Sequence, residues 1–329
     1  MTADPFGDDR RASERRSLRL LGVRCELEAD DAALAQLADD AYAGLPGHLF
    51  TAPEAAPNAR IVLRRAMGEA ARFDAEPPAP RISGGAGLLC ATIDARNHAT
   101  VSVATRSALV VIGDELLVQP YYARYELLEF ALFTLASRSQ QLVALHAACV
   151  ARAGRGALLL GATGAGKSTL TLACLERGMA LLSEDAVFVA PATLQATGIA
   201  NFLHLRPGTG AGVSAAAESL EGMGIPIRRR SGVAKLEIDV RRAGFALAPE
   251  PARLQAAVCL DPQPGAGGMP LRTIPHRELL RRLDAGQLYA TRQPGWDEFV
   301  ARVGTLQSFE LRRAQTPAQQ AAQIDALLN

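Results

Sequence analysis

The stretch Gly161-Ala162-Thr163-Gly164-Ala165-Gly166-Lys167-Ser168-Thr169 decides the fold prediction, because it has the pattern Gly-x-x-x-x-Gly-Lys-Ser/Thr. In this pattern the glycines let backbone N–H groups turn toward a chain of phosphates. The lysine reaches the outer phosphates, and the hydroxyl that follows it is a ligand for Mg²⁺. We therefore predict that residues 161–169 bind a nucleoside triphosphate, with Ser168 on the metal.

The segments on either side of this loop fit a strand and a helix. Residues 157–160 form a short apolar run typical of a buried strand, and 167–177 has a helical pattern that stops at Gly178. The order strand, loop, helix directs the positive end of the helix dipole at a bound anion. It predicts an α/β nucleotide-binding domain.

Composition limits the classes of protein that need to be considered. The chain has 329 residues, of which 49% are hydrophobic, enough for one large or two ordinary domains with full cores. A net charge of +1 argues against a nucleic-acid binder. The five cysteines are scattered and predict reduced core thiols. The polar N-terminus and the lack of a long apolar run predict a cytoplasmic protein that does not enter a membrane.

Periodicity divides the chain into four segments. We predict a flexible tail at 1–16, a mostly β (α+β) domain at 17–118, a connecting helix at 119–141 and the nucleotide-binding domain at 142–329. In the first domain we expect a helix at 30–43, capped by Asp30 or Asp31, and strands at 18–27, 60–66, 87–94, 98–104 and 107–112. In the last domain we expect strands at 142–151, 156–160, 179–190, 198–205, 235–240 and 255–260. Helices are expected there at 167–177, 210–221, 276–285 and 316–328, and flexible loops at 207–212 and 262–270.

Two adjacent acids, Glu184 and Asp185, interrupt the apolar run 179–190. Carboxylates in an apolar strand are costly without a cation, so the pair predicts a Mg²⁺ site beside the phosphates. One carboxylate would hold the metal and the other would accept a proton from an attacking hydroxyl. A right-handed crossover would place this strand directly beside the strand that precedes the loop. Both acids reach one site only where the strand ends or kinks, and a pair of solvated strand-end acids is the alternative.

A histidine precedes the loop at a suggestive distance. His146 lies fifteen residues before Gly161 (161 − 146), and Gly154 and Gly156 between them predict a hairpin that would return the chain toward the phosphates. Taken alone, a histidine in an apolar strand is more often a hydrogen-bonded core residue than a functional one.

Taken together, these residues resemble the catalytic core of the HPr kinase/phosphorylase family over about 142–190. The features that carry the resemblance are His146, Gly154, Gly156, the loop 161–169, Arg177-Gly178 and Glu184-Asp185-Ala-Val. The resemblance implies a P-loop fold related to phosphoenolpyruvate carboxykinase, with ATP and Mg²⁺ used to phosphorylate a serine hydroxyl. It implies that Glu184 is the general base, that Asp185 holds the metal with Ser168, and that His146 and Lys167 act at the transferred phosphate.

The chain departs from the family pattern at three points. Glu184 replaces the usual aspartate and is longer by a methylene, so the roles of Glu184 and Asp185 are exchangeable. Thr169 stands where the bifunctional enzymes carry an acid, and their glycine-rich segment downstream is not found. These departures argue against phosphorylase activity and against HPr as the substrate.

Other charged residues have less specific patterns. Arg206 follows an apolar run and could reach phosphate, and the basic cluster Arg228–Arg230 with Lys235 could bind an acidic peptide or the nucleotide. A surface arginine and a solvated basic face are the respective alternatives. His204 shows no metal-ligand spacing.

We therefore predict an ATP- and Mg²⁺-dependent kinase whose acceptor is a hydroxyl on a protein, a peptide or a small molecule. The alternatives are a P-loop ATPase or nucleotide-dependent switch, and a pseudokinase without phosphoryl transfer. The chain has neither the Leu-Ser-Gly-Gly-Gln segment of transporter ATPases nor the Asn-Lys-x-Asp motif of GTPases. The acceptor, the role of the N-terminal region and homo-oligomerisation are left open.

Overall fold

The computed structural model describes residues 13–50, 56–67, 73, 76–210, 213–261, 271–312 and 316–329. They form a mixed α/β structure with several sheets. The described residues fall into two compact units, the first within Met1–Gly44 and Thr51–Ser139 and the second within Leu45–Phe50 and Gln140–Asn329. Within these described ranges, no helix combines the length and apolar composition needed to cross a bilayer.

The first unit is built on a seven-stranded sheet of order β1-β2-β3-β7-β6-β5-β4. The strands are β1 (Glu14–Leu20), β2 (Val23–Ala29), β3 (Asn58–Arg65), β4 (Arg81–Gly85), β5 (Leu88–Thr92), β6 (His98–Ser102) and β7 (Ser107–Ile112). Strand β3 runs parallel to both its neighbours, and the other pairs are antiparallel. The helices are α1 (Ala32–Tyr42), α2 (Asp114–Leu117), α3 (Pro120–Tyr122) and α4 (Glu129–Gln140), with a π-helical stretch (Ala123–Leu128) joining the last two.

The first unit confirms some local predictions and corrects others. Asp31 caps α1, accepting hydrogen bonds from two backbone N–H groups of the first turn. The single strand predicted at 18–27 is instead a hairpin, because Leu21 and Gly22 both have positive φ and turn the chain between β1 and β2. Strand β4 was not among the predicted strands; it is an exposed edge strand, where flanking prolines and glycines are tolerated. Of the predicted tail, 1–12 lie outside the described residues and 14–16 belong to β1.

The second unit is built on a nine-stranded sheet of order β11-β9-β10-β17-β13-β12-β8, with β19 and β18 added beside β17. The strands are β8 (Val143–His146), β9 (Ala148–Arg152), β10 (Arg155–Leu160), β11 (Ala180–Ser183), β12 (Ala186–Ala190), β13 (Gln195–Gly198), β17 (Ala252–Asp261), β18 (Leu271–Thr273) and β19 (Gln307–Arg312). Strands β10, β17 and β19 run parallel. Their carboxyl ends therefore share one edge of the sheet.

Helices cover both faces of this sheet. Helix α5 (Lys167–Glu176) and helix α9 (Pro317–Leu328) pack on one face through buried side chains such as Leu170 and Ile324. Helix α7 (His276–Gly286), helix α8 (Trp296–Val303) and a short 3₁₀ helix (Ala290–Arg292) lie on the other. The result is a three-layer α/β/α arrangement.

A second, three-stranded sheet of order β14-β16-β15 packs against the outer side of α5. Its strands are β14 (Phe202–Leu205), β15 (Ile225–Arg228) and β16 (Ala234–Asp239), accompanied by helix α6 (Ala215–Glu221). Leu172 and Leu175 of α5 share one apolar cluster with Leu203 and Leu205 of β14. The helix that begins at Lys167 is therefore held between two sheets.

Four predictions for the second unit need correction. The strand predicted at 198–205 spans the end of β13, at Gly198, and the whole of β14, which begins at Phe202. The strand at 142–151 divides at Ala147 into β8 and β9, and the strand at 179–190 divides at the acid pair into β11 and β12. The crossover rule predicted β11 directly beside β10, and this is wrong. Strand β9 lies between them, because β9 and β10 form a tight hairpin that occupies that side of β10. Strands β15, β18 and β19 and helix α8 were not predicted. The predicted loops at 262–270 and, in part, 207–212 lie outside the described residues.

Helix α9 is fixed to the rest of the second unit by a shared carboxylate. Asp325 on α9 forms ion pairs with Arg152 of β9 and with Arg177, the C-terminal cap of α5, whose Nε donates to Oδ2 at 2.9 Å. The carboxylate is largely buried, so its loss leaves two guanidinium groups without their acceptor.

We expect Asp325→Ala to lower the free energy of unfolding by about 2 kcal/mol, because hydrogen bonds to charged groups are each worth about 1.5–3 kcal/mol. The matched control is Glu298→Gln, which removes the half-exposed pair of Glu298 with Arg302 and should cost less than about 0.5 kcal/mol. Urea denaturation of the two variants checks this, and equal losses would contradict the anchoring role of Asp325.

A second buried carboxylate, Glu310 on β19, is surrounded by arginines. Arg272 and Arg312 each donate from Nε to Oε1, at 2.9 and 2.7 Å, and Arg282 donates to Oε2. The hydrogen bond from Arg272 is the main cause that lowers the pKa of Glu310 from its ordinary value near 4.5 to about 2, with Arg282 and Arg312 adding to it against the opposing effect of burial.

This shift predicts a pH dependence of stability. A carboxyl group whose pKa is depressed by folding stabilises the protein above its unfolded pKa, and this stabilisation disappears as pH falls toward the folded pKa. The stability difference between the native chain and Glu310→Gln should therefore be full at neutral pH and shrink between about pH 4.5 and pH 2. Urea denaturation across this range measures it, and a constant difference would show that Glu310 is not the titrating group.

Candidate functional site

The glycine-rich loop 161–166 joins the carboxyl end of β10 to the first residue of α5. Gly164 and Gly166 have φ values of +85° and +99°, which disfavour any side chain, so the loop turns back on itself before the helix begins. Gly166 occupies the N-cap, and within the described part of the chain no side chain caps the first turn. The N–H groups of that turn therefore keep their capacity to bind an anion.

Lys167 is buried at the start of α5 and folds back over this loop. Its Nζ donates to the carbonyl oxygen of Gly161 at 2.7 Å and lies 3.4 Å from that of Ala162. Burial is the main cause that lowers the pKa of Lys167, and nearby Lys235 and Arg229 lower it further against the opposing effect of the two acids. An anion at the loop would relieve this unfavourable crowding of cations.

The acid pair lies at the break between β11 and β12, where the chain leaves one strand and enters the next. The hydroxyl of Ser168 donates to Oε1 of Glu184. Glu184 is 4% exposed, and its other oxygen, Oε2, accepts from Nδ1 of His204 at 3.0 Å. Glu184 therefore joins the first turn of α5 to the three-stranded sheet.

His204 continues this contact into a buried chain. Its Nε2 lies 3.0 Å from Oε2 of Glu237, directly across the antiparallel pair β14–β16. Burial lowers the pKa of His204, but hydrogen bonds to Glu184 and Glu237 together outweigh it, and the pKa is raised. Burial likewise raises the pKa of Glu184, and His204 lowers it below its ordinary value. Both ring nitrogens thus face a carboxylate oxygen, and a protonated ring can donate to both. We call Ser168, Glu184, His204 and Glu237 the buried chain.

Asp185 faces the opposite direction, toward the exposed side of the site. Its Oδ1 lies 3.2 Å from Nδ1 of His146, and its Oδ2 accepts from Arg229 at 3.2 Å. The Nε2 of the same histidine lies 3.4 Å from Nζ of Lys167, which has only protons to offer. These partners assign the proton of a neutral His146 ring to Nδ1.

The backbone around His146 is held by two glutamine side chains. Gln287 accepts from the His146 N–H at 2.7 Å and donates to its carbonyl at 2.9 Å. Gln293 does the same at Ala144, at 3.0 and 3.1 Å. The two amides satisfy alternate residues of the edge strand β8 as a neighbouring strand would. They fix the position from which His146 reaches the site.

Further cations surround the loop. The guanidinium of Arg206, at the end of β14, lies 3.2 Å from the point that a Cβ on Gly164 would occupy. Lys235 donates from Nζ to the His204 carbonyl at 3.2 Å, and burial is the main cause that lowers its pKa. The positive charges of Arg206 and Lys235 repel each other, since Arg206 also lowers the pKa of Lys235. The site is therefore an electropositive pocket lined by acids on one side.

The structure joins these predicted residues in two hydrogen-bonded groups, His146 with Lys167 and Asp185, and Ser168 with Glu184. The hydroxyl of Ser168 donates to Glu184, and the roles of the two acids stay predictions. The remaining predicted residues are in the loop or the first turn of α5: Ala162, Thr163, Ala165 and Thr169. Among the described residues, no group of three or more histidines, cysteines and acids is arranged to hold a metal ion.

Sequence reasoning missed His204, Glu237 and Gln287. His204 is the one polar residue of the apolar strand β14, which is a usable signal, whereas Glu237 shares β16 with Lys235 and Asp239 and does not stand out. Their partnership depends on the register of β14 against β16, which spacing along the chain does not give. Gln287 lies in an irregular segment after α7 and gave no signal.

Comparisons with known proteins add little to this geometry. No family model matches the chain, and no curated protein matches it. Among solved structures, the chain is similar to the HPr(Ser) kinase/phosphatase from Coxiella burnetii at 16% identity, over 56% of this chain and 87% of that one, with a TM-score of 0.29. A likeness at this TM-score does not assign the chain to a family.

The buried chain makes a prediction about stability. Replacing His204 by alanine removes the donor that lies between Glu184 and Glu237, so we expect a loss of about 3 kcal/mol in the free energy of unfolding. Glu237→Gln keeps an acceptor for the ring and should cost clearly less. Denaturation of both variants at neutral pH measures the difference. A His204→Ala variant as stable as the native protein would show that the hydrogen bonds of the buried chain are not formed.

Proposed function

We propose that this protein is an ATP- and Mg²⁺-dependent kinase that transfers the γ-phosphate to a hydroxyl group. The observation that carries the proposal is the convergence of Lys167 and Ser168, at the start of α5, with the acid pair and His146. Phosphoryl transfer needs positioned cations, hard oxygen ligands for a metal and one carboxylate close to the acceptor. The site offers groups of all three kinds, in two neighbouring hydrogen-bonded sets: His146 with Lys167 and Asp185, and Ser168 with Glu184.

The residues at the site suit a nucleotide and Mg²⁺, the two groups that the proposal requires. The loop glycines with positive φ, the first-turn N–H groups and the crowded cations suit the phosphates of a nucleotide. The Ser168 hydroxyl and the Glu184 carboxylate are oxygen ligands of the kind that Mg²⁺ prefers. When bound, Mg²⁺ would neutralise charge on the phosphates. We therefore assign Glu184, with Ser168, to the metal in a P-loop nucleotide-binding site.

The other residues then take separate roles. Asp185, on the more exposed side, is the carboxylate that accepts the proton of the acceptor hydroxyl. His146 donates from Nδ1 to Asp185 and orients it, and Arg229 holds the second oxygen. Lys167 leaves the loop carbonyls to bind phosphate, and Arg206 neutralises charge above Gly164. Each role follows from a contact or position of the side chain rather than from its place in the sequence.

The acceptor separates a kinase from the other P-loop functions. In a kinase, labelled phosphate from ATP is found on another molecule, either a serine of a protein or peptide or the hydroxyl of a small molecule. In an ATPase or a switch, ADP and free phosphate form at a rate that no acceptor changes. In a pseudokinase, nucleotide binds but neither product forms.

We expect Asp185→Asn to lower the rate of label transfer from γ-labelled ATP at least about 100-fold, since general-base catalysis contributes about 10²–10⁴. Its nucleotide affinity should change little, because Asp185 does not line the loop. Lys167→Ala should lose nucleotide affinity as well as transfer, because it removes the cation from the loop. Nucleotide affinity is measured by titration calorimetry, and transfer by counting labelled acceptor.

The control is Arg281→Ala, which removes an exposed ion pair on α7 and should leave both measurements unchanged. Label transfer that survives Lys167→Ala would overturn the assignment of the site. ADP formation that is independent of every acceptor tested would replace the kinase by the ATPase.

A further inference from the structure

The basic residues of this chain are almost all arginines. Of its 35 lysines and arginines, only two are lysines, Lys167 and Lys235. Burial is the main cause that lowers the pKa of Lys167, and the charge of Lys235 adds to it, so the two ammonium groups lie near each other although they come from different elements. An ammonium group is a compact point charge that a guanidinium does not replace. The presence of both lysines at one site therefore needs a common explanation.

The alternation of side chains along β16 directs Lys235 toward the buried chain. Leu236 and Ile238 pack into the apolar cluster that includes α5. The alternate residues, Lys235 and Glu237, therefore face the other side of the three-stranded sheet. On that side Glu237 contacts the ring of His204, and Lys235 donates from Nζ to the His204 carbonyl at 3.2 Å. Lys235 thus lies beside the buried chain.

Lys235 has more donors than partners. Its ammonium group carries three protons, but in the part of the chain that the structure describes it makes one hydrogen bond and no ion pair. Burial is the main cause that lowers its pKa, and Arg229 and Arg206 lower it further. The two acids of the site oppose this shift without forming an ion pair with Lys235. Because a partly buried cation without an anionic partner lowers stability, the fold alone does not account for this residue.

The partner that Lys235 lacks is an anion on the acid side of the site. Lys167 folds over the loop and serves the phosphates that the loop holds. Lys235 comes instead from the sheet whose His204 is bonded to Glu184, and its charge acts on Asp185 as well. In the proposed site Glu184 holds the metal and Asp185 faces the acceptor hydroxyl. The anion that lies between these two acids is the phosphate in transfer.

We propose that Lys235 is a second phosphate-binding lysine, whose ammonium group contacts the γ-phosphate during its transfer. This inference rests on the proposed kinase function and adds a catalytic residue to it. In the transfer, the bond between the γ-phosphorus and the oxygen that bridges to the β-phosphate breaks, the bond to the acceptor oxygen forms, and ADP leaves, with the hydroxyl proton on Asp185. Lys235 keeps its three protons and neutralises charge on the transferred group.

The first test compares the affinities for ADP and for a non-hydrolysable ATP analogue, each with Mg²⁺, by titration calorimetry. Lys235→Met replaces the ammonium by an uncharged, unbranched side chain. We expect the affinity for the ATP analogue to fall at least about tenfold and the affinity for ADP to change less than about threefold, because ADP lacks the γ-phosphate. Lys167→Met should weaken the binding of both nucleotides. The matched control is Arg242→Met, which removes an exposed cation just after β16 and should change neither affinity.

The second test uses the native chain and so does not depend on the folding of a variant. An ATP derivative with an acyl group on its γ-phosphate transfers that group to a neighbouring lysine amine. The amine nitrogen forms an amide bond, the bond between the carbonyl carbon and the phosphate oxygen breaks, ATP leaves and the amine proton goes to solvent. Because the chain has only two lysines, mass spectrometry of its peptides assigns the acylated residue directly. We expect acylation of Lys235 that an excess of ATP suppresses.

The outcomes separate this inference from the proposed function. If Lys235→Met weakens both nucleotides equally or neither, the inference is overturned and the kinase stays in place. Acylation confined to Lys167, or acylation of Lys235 that ATP does not suppress, also overturns it. A native chain that binds neither nucleotide overturns the proposed function itself. The thermal stability of Lys235→Met should equal or exceed the native value, because the variant removes a cation that its neighbours repel, and a large loss would assign Lys235 to the fold instead.

Discussion

The candidate site depends on the hydrogen bond from Ser168 to Glu184 and on the buried chain that continues through His204 to Glu237. The buried chain connects the start of α5, the break between β11 and β12, and two strands of the three-stranded sheet. Because the carboxylates and the ring are all buried, none of these elements can shift alone without leaving a charge unpaired, which costs several kcal/mol. The arrangement therefore fixes one acid of the pair and leaves the other, Asp185, at the more exposed side.

This division gives the two acids different chemistry. Glu184 is buried and accepts hydrogen bonds from Ser168 and His204, whereas Asp185 is more exposed and contacts His146 and Arg229. Around them, Lys167, Arg206 and Lys235 crowd together enough that burial and mutual repulsion lower the pKa of both lysines. A polyanion is the ligand that such an electropositive pocket favours most.

The sequence predicted features that depend on local spacing. The helix after the glycine loop, the cap at Asp31 and the mixed α/β class all follow from short patterns, and the structure has them. The single strand predicted at 18–27 failed at a local turn, because Leu21 and Gly22 make it a hairpin. Another prediction failed where long-range pairing decides, since β9 separates β10 from β11. His204 and Glu237 could not be assigned for the same reason, since only strand register brings them together. The ligand and catalytic roles of residues 146 and 161–169 and of the acid pair stay predictions.

The most direct test of the account is a crystal structure of the full chain with Mg²⁺ and a non-hydrolysable ATP analogue. The account predicts the outer phosphates on the N–H groups of the loop 161–166, with Nζ of Lys167 moved from the Gly161 carbonyl onto phosphate. It also predicts the metal between Ser168 and Glu184, and Asp185 free of it. A nucleotide bound elsewhere, or a metal on Asp185 with the Ser168–Glu184 contact undisturbed, would contradict it.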